Sequence, residues 1–410
     1  MLVQFSVENY KSIRDEVVIN FRSEKKQEDS KWAVSAVDKG FPIYRCIALI
    51  GPNASGKSNI IEALFFALKF IDRTISRKDN AEISVDVFGF SKECSNMPTS
   101  FEFIFIYKGI KYVYGFSVNK KEVIEEYLMG YFTAKAKTIF ERTKGQKFNF
   151  KGNQTKQQKE ISQKTNANRL YMPVAAEWGY EQAKNVMEWF NLMVRQYADF
   201  NITSILEEII NDKKRKALFI EELQRADFNI ADIKLEKELL DKKAAELFPK
   251  LFPGFLESRD ELIENKSYKN KVVVVHRNDQ GECFEIDMTE DSDGTIDIIK
   301  NMAEIIHIGK EGGLMLEDEL GASYHTKLTQ HFLNIIGSDS INSGNAQLLF
   351  SSHDTKLLNF LHADQIYLVD KDETGATFVT LLSDYQIRPD TNIELGYLKG
   401  RFGGMPYMKG

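Results

Sequence analysis

Apolar and polar residues alternate in "LVQFSVENY" (2–10) and "EVVINF" (16–21), on either side of the polar break "KSIRD". That pattern predicts an antiparallel hairpin of half-buried strands. "RCIALI" (45–50) is a short apolar run that stops before a glycine. From Lys57 the apolar residues Ile60, Ile61, Leu64, Phe65 and Leu68 recur at helical spacing, so strand, loop and helix follow one another. "TSFEFIFIYKGIKYVYGFSV" (99–118) predicts two strands joined at "YKG", and strand-like segments continue to about residue 150 as a small antiparallel β-layer. The polar segment 151–168 reads as a surface loop, and "RLYMPVAAE" (169–177) as a strand. From 177 to about 247 the pattern is helical and charged. Strands return at "VVVVHR" and "CFEIDM", and "GTIDIIKNMAEII" (294–306) predicts a helix. The last ninety residues alternate the strands "LMLE", "QLLFSS" and "QIYLVD" with helices such as "HTKLTQHFLNII", the mark of a mostly parallel α/β sheet.

This order divides the chain into residues 1–176, a first lobe with the glycine loop and β-layer; 177–265, a helical insertion; and 266–410, a second lobe. No internal repeat or long heptad run is evident, which argues against a coiled-coil arm. The 410 residues, 43% of them hydrophobic, can build a sizeable core. No window approaches the ~20 apolar residues of a membrane span. The N-terminus lacks the basic region and cleavage site of a secretory signal, so a cytoplasmic protein is expected. Cys46, Cys94 and Cys283 are widely spaced, without CxxC or neighbouring histidines, and read as reduced thiols. A net charge of −6 gives no overall bias towards nucleic acid, and the basic runs at 211–219 and 269–277 read as solvated faces.

The chemistry begins in "LIGPNASGKSNIIEAL" (49–64), where Gly51, Gly56, Lys57 and Ser58 satisfy G-x-x-x-x-G-K-[ST] between a predicted strand and a predicted helix. In such a loop, glycines let backbone N–H groups curl around a β-phosphate at the positive end of the helix. Lys57 then reaches the β- and γ-oxygens and Ser58 ligates Mg²⁺, with Asn53, Ala54, Ser55 and Asn59 completing the nucleotide contacts. A nucleoside triphosphate with Mg²⁺ is the expected ligand. Downstream, "GGLMLEDELGASYH" (312–325) ends an apolar strand in Asp318 and Glu319. These suit a carboxylate that holds the metal and a carboxylate that polarises the attacking water. "AQLLFSSHD" (346–354) is a further buried strand ending at His353, placed to contact a γ-phosphate. "EDSDGTIDII" (290–299) sets Ser292, Gly294 and Thr295 ahead of a helix, a second anion site. Asp370 and Asp372 in "YLVDKDETG" (367–375) resemble the D-x-D of a TOPRIM metal site, but the region is already used by the α/β core.

These motifs, in this order, resemble the ATP-binding cassette class of ATPases, in its SMC/RecF-like and OLD-like branch. The resemblance is greatest to the prokaryotic RloA/AbiL-type ATPases of phage-defence loci and covers nearly the whole chain. Further segments carrying it are "GIKYVYGFSV", "QLLFSSHDTKLL", "QIYLVDKDETGA" and the tail "IELGYLKGRFGGMPYM". It implies an α/β fold: an ABC-type P-loop ATPase head with an antiparallel β-layer and a helical insertion. It also implies that Ser292 and Gly294 bind a γ-phosphate in trans, that Lys11 and Ser12 lie near the nucleotide, and that two ATPs are sandwiched in a head-to-tail dimer or higher oligomer. The implied role is a sensor and scaffold for a separate effector, such as a TOPRIM-like nuclease, in antiviral defence. An SMC/RecF-like DNA-repair ATPase that clamps DNA directly is the alternative, so nucleic acid remains a candidate partner; a membrane is not expected.

Three positions depart from the family pattern. Glu317 precedes the Walker B aspartate, where an apolar residue is usual. Gly321 stands where an aspartate often links the two active sites. Glu177 takes the place of a metal-sensing glutamine, and such an extra carboxylate beside Mg²⁺ would slow hydrolysis.

Overall fold

The alternation in the first twenty residues produces the expected hairpin, β1 (Leu2–Glu8) pairing antiparallel with β2 (Val17–Asn20), Phe5 opposite Ile19. The computed structural model describes residues 1–23, 31–38, 41–151, 155–198, 202–226, 229–239, 268–322, 325–388 and 391–403. The end of the expected helical stretch, 240–247, and the tail from 404 onward lie outside these residues. The chain forms two compact units, Met1–Phe200 with Ile308–Gly410, and Asn201–His307.

In the first unit, β3 (Ala33–Asp38) and β4 (Phe41–Tyr44) make a two-stranded ribbon. β5 (Cys46–Ile50), buried at all five positions, leads through a loop into α1 (Lys57–Arg73). Five antiparallel strands follow: β6 (Thr99–Tyr107), β7 (Ile110–Val118), β8 (Val123–Tyr131), β9 (Lys137–Thr143) and β10 (Lys147–Phe150). With the first hairpin they build a seven-stranded sheet in the order β10-β9-β8-β7-β6-β1-β2. The helices α2 (Thr155–Ser162), α3 (Tyr171–Glu177) and α4 (Glu181–Ala198) come next. One sheet face is aromatic and packs on α1 and α4: the Phe101 ring lies 5.6 Å from Phe66, and Phe105 stacks on Trp189 at 3.9 Å. Burying such rings dominates the energetics of this layer.

The second unit contains α5 (Ile202–Asn211) and α6 (Lys213–Arg225), then the antiparallel strands β11 (Ile230–Leu239), β12 (Tyr268–Arg277) and β13 (Cys283–Asp287). The chain returns to the first unit within α7 (Asp293–Glu311). There β14 (Leu314–Glu317), α8 (Thr326–Ile336), β15 (Gln347–Ser352), β16 (Ile366–Lys371), β17 (Thr377–Leu381) and α9 (Ile393–Leu398) complete the fold. The core sheet runs β14-β15-β5-β16-β17, parallel except for β17. Buried Gln347 ties it to the β-layer, accepting from Leu2 N at 2.6 Å and donating to Leu2 O and Tyr44 O at 2.9 and 3.1 Å. The α/β architecture with an antiparallel layer is the one the motifs implied. No helix among the described residues is long and apolar enough to cross a membrane. Cys46 and Cys94 are buried, Cys283 exposed, and all three are free.

Three local expectations are corrected. The polar segment 151–168 contains α2, because Gln158 and Ile161 share one buried side. The helical reading of 177–247 gives way at β11, whose pairing with β12 along its length is a long-range contact invisible to helical periodicity. Residues 171–177 form α3 instead of a strand. A short apolar run does not distinguish the two by itself. What decides it is the carboxylate of Glu126, which accepts from Tyr171 N and Met172 N at 2.6 and 2.8 Å and so caps the helix.

Glu126 is fully buried with Arg142, 3.4 Å away and equally buried. Burial pushes the Glu126 carboxyl up, and Arg142 and the α3 amides pull it back. Arg142→Met should therefore cost about 3–5 kcal/mol, since it strands a buried charge. Denaturant unfolding checks this, and adding Glu126→Gln should recover part of the loss.

Candidate functional site

Strand order brings the site together. The carboxyl ends of β14, β15 and β5 are adjacent, with Glu317 opposite Phe350 and Ser352 opposite Ile50. Asp318, His353 and Gly51, the residues that follow these strands, therefore emerge on one edge of the parallel sheet, where ligands of such sheets bind.

The loop from Gly51 to Gly56 needs its glycines. A Cβ at Gly51 would lie 2.2 Å from Val369 O, and one at Gly56, whose φ is +108°, would lie 2.0 Å from Thr377 Oγ1. Asn53 and Ala54 are exposed at the tip, and Ala54 accepts a left-handed φ of 62°. Lys57 is 5% exposed, and its ammonium donates to Gly51 O and Pro52 O, both at 2.8 Å. Burial lowers its pKa, while Asp318 and Glu319 act in the opposite direction, which sets both carboxylates within electrostatic reach. Ser58 is exposed at the start of α1.

Behind the loop runs a chain of hydrogen bonds. Asn59 Nδ2 donates to Ser12 Oγ at 2.6 Å, Ser12 and Thr377 share a 2.7 Å hydroxyl contact, and Thr377 Oγ1 donates to Ser55 O at 2.8 Å. Thr377 N also donates to Ser12 O at 2.7 Å. Ser12 is thus a brace of the loop, and neighbouring Lys11 forms an ion pair with Glu62 of α1. Thr377 is a residue that sequence reasoning missed. Its contacts lie more than 300 positions away, and no local motif marks it.

On the opposite side, Ser351 Oγ donates to Asp318 Oδ1 at 2.5 Å and accepts from Glu319 N at 2.8 Å. This second unforeseen residue fixes the pair of carboxylates. Glu319 adopts a left-handed φ of 61°, and its Oε1 lies 3.6 Å from His353 Nε2, both side chains being partly exposed. Gly321 has its own reason to be glycine: φ is +86° and a Cβ would meet Thr329 Oγ1 at 2.3 Å. Asp372 is engaged in a turn, accepting from Thr374 N, Ala376 N and Arg14.

The metal role expected of Glu177 presupposes a strand at 169–177, and the structure has a helix there. Glu177 is the exposed last residue of α3, a helix preceded by Leu170, whose N–H donates to Thr74 Oγ1 at 3.0 Å. Thr74 ends α1 on the side remote from Lys57, about 25 Å along the axis.

Ser292 and Gly294 belong to the second unit. Ser292 precedes α7 and caps it, its Oγ accepting from Thr295 N at 3.2 Å and contacting Thr295 Oγ1 at 2.8 Å. Asp291 is held by His276 at 2.7 Å.

The loop fits a triphosphate with Mg²⁺. Ser55 Oγ is buried and has no hydrogen-bond partner, the buried Lys57 ammonium has backbone acceptors, and the close backbone approach depends on two glycines. The profile of the family described as "AAA domain, putative AbiEii toxin, Type IV TA system" matches residues 46–359. The chain belongs to this AAA-domain family. Its match spans the phosphate loop, the Asp318–Glu319 pair and His353. Among solved structures, the SMC head domain of Thermotoga maritima is similar at 13% identity and TM-score 0.41, covering 93% of this chain and 98% of that one. The Smc head domain of Pyrococcus furiosus, with an extended coiled coil and bound to the C-terminal domain of ScpA, gives 14% and 0.40, covering 92% and 95%. No curated protein matches. The family match and the glycine loop make the chain an AAA-type P-loop domain, and its core sheet is α/β.

Proposed function

We propose that this AAA-family chain binds and hydrolyses ATP, dimerises around it, and serves as sensor and scaffold for a separate effector in antiviral defence. The observation that carries the ATPase reading is the shared sheet edge, where Lys57, Asp318, Glu319 and His353 follow three adjacent strands. ATP with Mg²⁺ would be held by the loop amides, Lys57, Ser58 and Asp318, the metal supplying charge neutralisation at the phosphates. Lys57 offers its ammonium to the β- and γ-oxygens, and Ser351 keeps Asp318 oriented. Glu319, on a left-handed turn, orients the attacking water through its carboxylate. His353, beside Glu319, faces the γ-phosphate.

The defence role is supported by the family description, which names a toxin and a toxin–antitoxin system. The effector is proposed to be a separate protein, with a TOPRIM-like nuclease as the leading class, and the working form a head-to-tail dimer or a higher oligomer in the cytoplasm.

Glu319→Gln tests the assignment directly. It should keep ATP affinity within a few-fold and lower turnover about 10²–10³-fold, because only the water-orienting carboxylate is neutralised. Hydrolysis at the wild-type rate would remove Glu319 from the mechanism.

A further inference from the structure

The polar face of the seven-stranded sheet carries an organised acidic recess. Glu8 lies opposite Ser100, Ser100 opposite Ser117, and Ser117 opposite Glu125, one row across β1, β6, β7 and β8. Two residues along, on the same face, Ser6, Glu102, Gly115 and Tyr127 form a second row. Continuing the β1–β2 pairing one step past Val7 and Val17 sets Glu16 against Glu8. Residues of both rows and Glu16 line a recess of about 150 Å³. Gly115 is what makes room: a Cβ there would lie 2.3 Å from the Tyr127 ring, which crosses it so that the phenol donates to Glu102.

Four carboxylates meet here, and the lining includes no lysine or arginine among the described residues. Two features point to a ligand. Ser117 is 5% exposed, sits in the middle of the first row, and its hydroxyl has no hydrogen-bond partner. A buried hydroxyl left unpaired costs free energy that a ligand can recover. Glu8 and Glu16, directly opposed, repel one another, and burial together with Glu16 and Asp15 raises the Glu8 carboxyl.

We infer that this recess is a binding site for an organic cation, an alkylammonium or guanidinium group. A divalent metal fits poorly, because the carboxylates are spread along two rows and no described group of three acidic, histidine or cysteine residues converges closely enough to hold one. A guanidinium has several N–H donors spread in a plane, which match separated acceptors, and the Tyr127 ring offers it an aromatic face. The group is either a free small cation or an arginine or lysine side chain of a protein partner.

Calorimetry of the full chain with agmatine, and separately with an end-blocked arginine tripeptide, tests the site. At least one probe should bind, and Glu8→Gln/Glu125→Gln should weaken that binding at least about tenfold. Ser117→Ala, which keeps every charge, should weaken it about threefold. Tighter binding of the tripeptide identifies a protein side chain as the source, and tighter binding of agmatine a free cation. Without any probe, Glu8→Gln should raise the unfolding midpoint, because it relieves the opposition to Glu16. No binding of either probe, equal affinity in wild type and the double variant, or displacement by Mg²⁺ at matched ionic strength overturns the proposal. A lowered midpoint for Glu8→Gln, which would make the carboxylate structural, does so too.

Discussion

Lys57→Ala should weaken ATP binding by about a hundredfold or more, the largest single-site effect on nucleotide affinity expected in this protein. The wild-type ammonium is buried, so its charge acts in a medium where it counts for more than at the surface. Its two acceptors, Gly51 O and Pro52 O, are neutral carbonyls of the same loop. The positive charge is therefore not consumed by an ion pair within the loop and is available to phosphate oxygens. Burial lowers the pKa of the ammonium, and Asp318 and Glu319 offset part of that lowering. Removing it also leaves two carbonyls without their donor, so Lys57→Ala should be accompanied by a lower unfolding midpoint. Calorimetry on the folded variant separates the two effects. Unchanged ATP affinity would remove the basis of the nucleotide site.

Much of this site was legible in the chain because its parts are local. The five buried residues of β5, the glycine loop and the apolar spacing of α1 are contiguous, and each strengthens the reading of the next. The strands ending at Asp318 and His353 were visible as apolar runs with polar ends, and the parallel sheet places them next to β5. What escaped depends on contacts between distant positions. Thr377 braces the loop through Ser12 and Ser55, and Ser351 orients Asp318 across a strand pair, but a threonine and a serine in strands carry no distinguishing pattern. The same holds for α3. Its sequence is apolar up to Glu177, and the buried carboxylate of Glu126, 45 residues upstream, holds its first turn. Correcting α3 also moves Glu177 from the end of a strand to the exposed end of a helix.

The signature segment gives the remaining large effect. Ser292→Arg or Gly294→Asp should leave ATP binding by the isolated chain nearly intact while abolishing ATP-dependent dimerisation and hydrolysis, if Ser292 and Gly294 serve a partner's nucleotide. The two variants differ usefully. Ser292 caps α7, so its replacement also costs about 1 kcal/mol of helix stability. Gly294 lies in the first turn, where an aspartate favours the helix dipole, so Gly294→Asp sets charge against phosphate without weakening the helix. Agreement between the two therefore isolates phosphate contact from helix stability. Mixing Gly294→Asp with Lys57→Ala then decides between cis and trans action. In a mixed dimer acting in trans, the loop of one chain and the signature of the other form one intact composite site. Each mixed dimer keeps one of two sites, so if the sites are independent about a quarter of wild-type hydrolysis should return with random pairing, rising towards about half where neither variant pairs with itself. Action in cis leaves every site defective and returns none, and the same mixture with dimer formation verified by cross-linking distinguishes that outcome from a failure to pair.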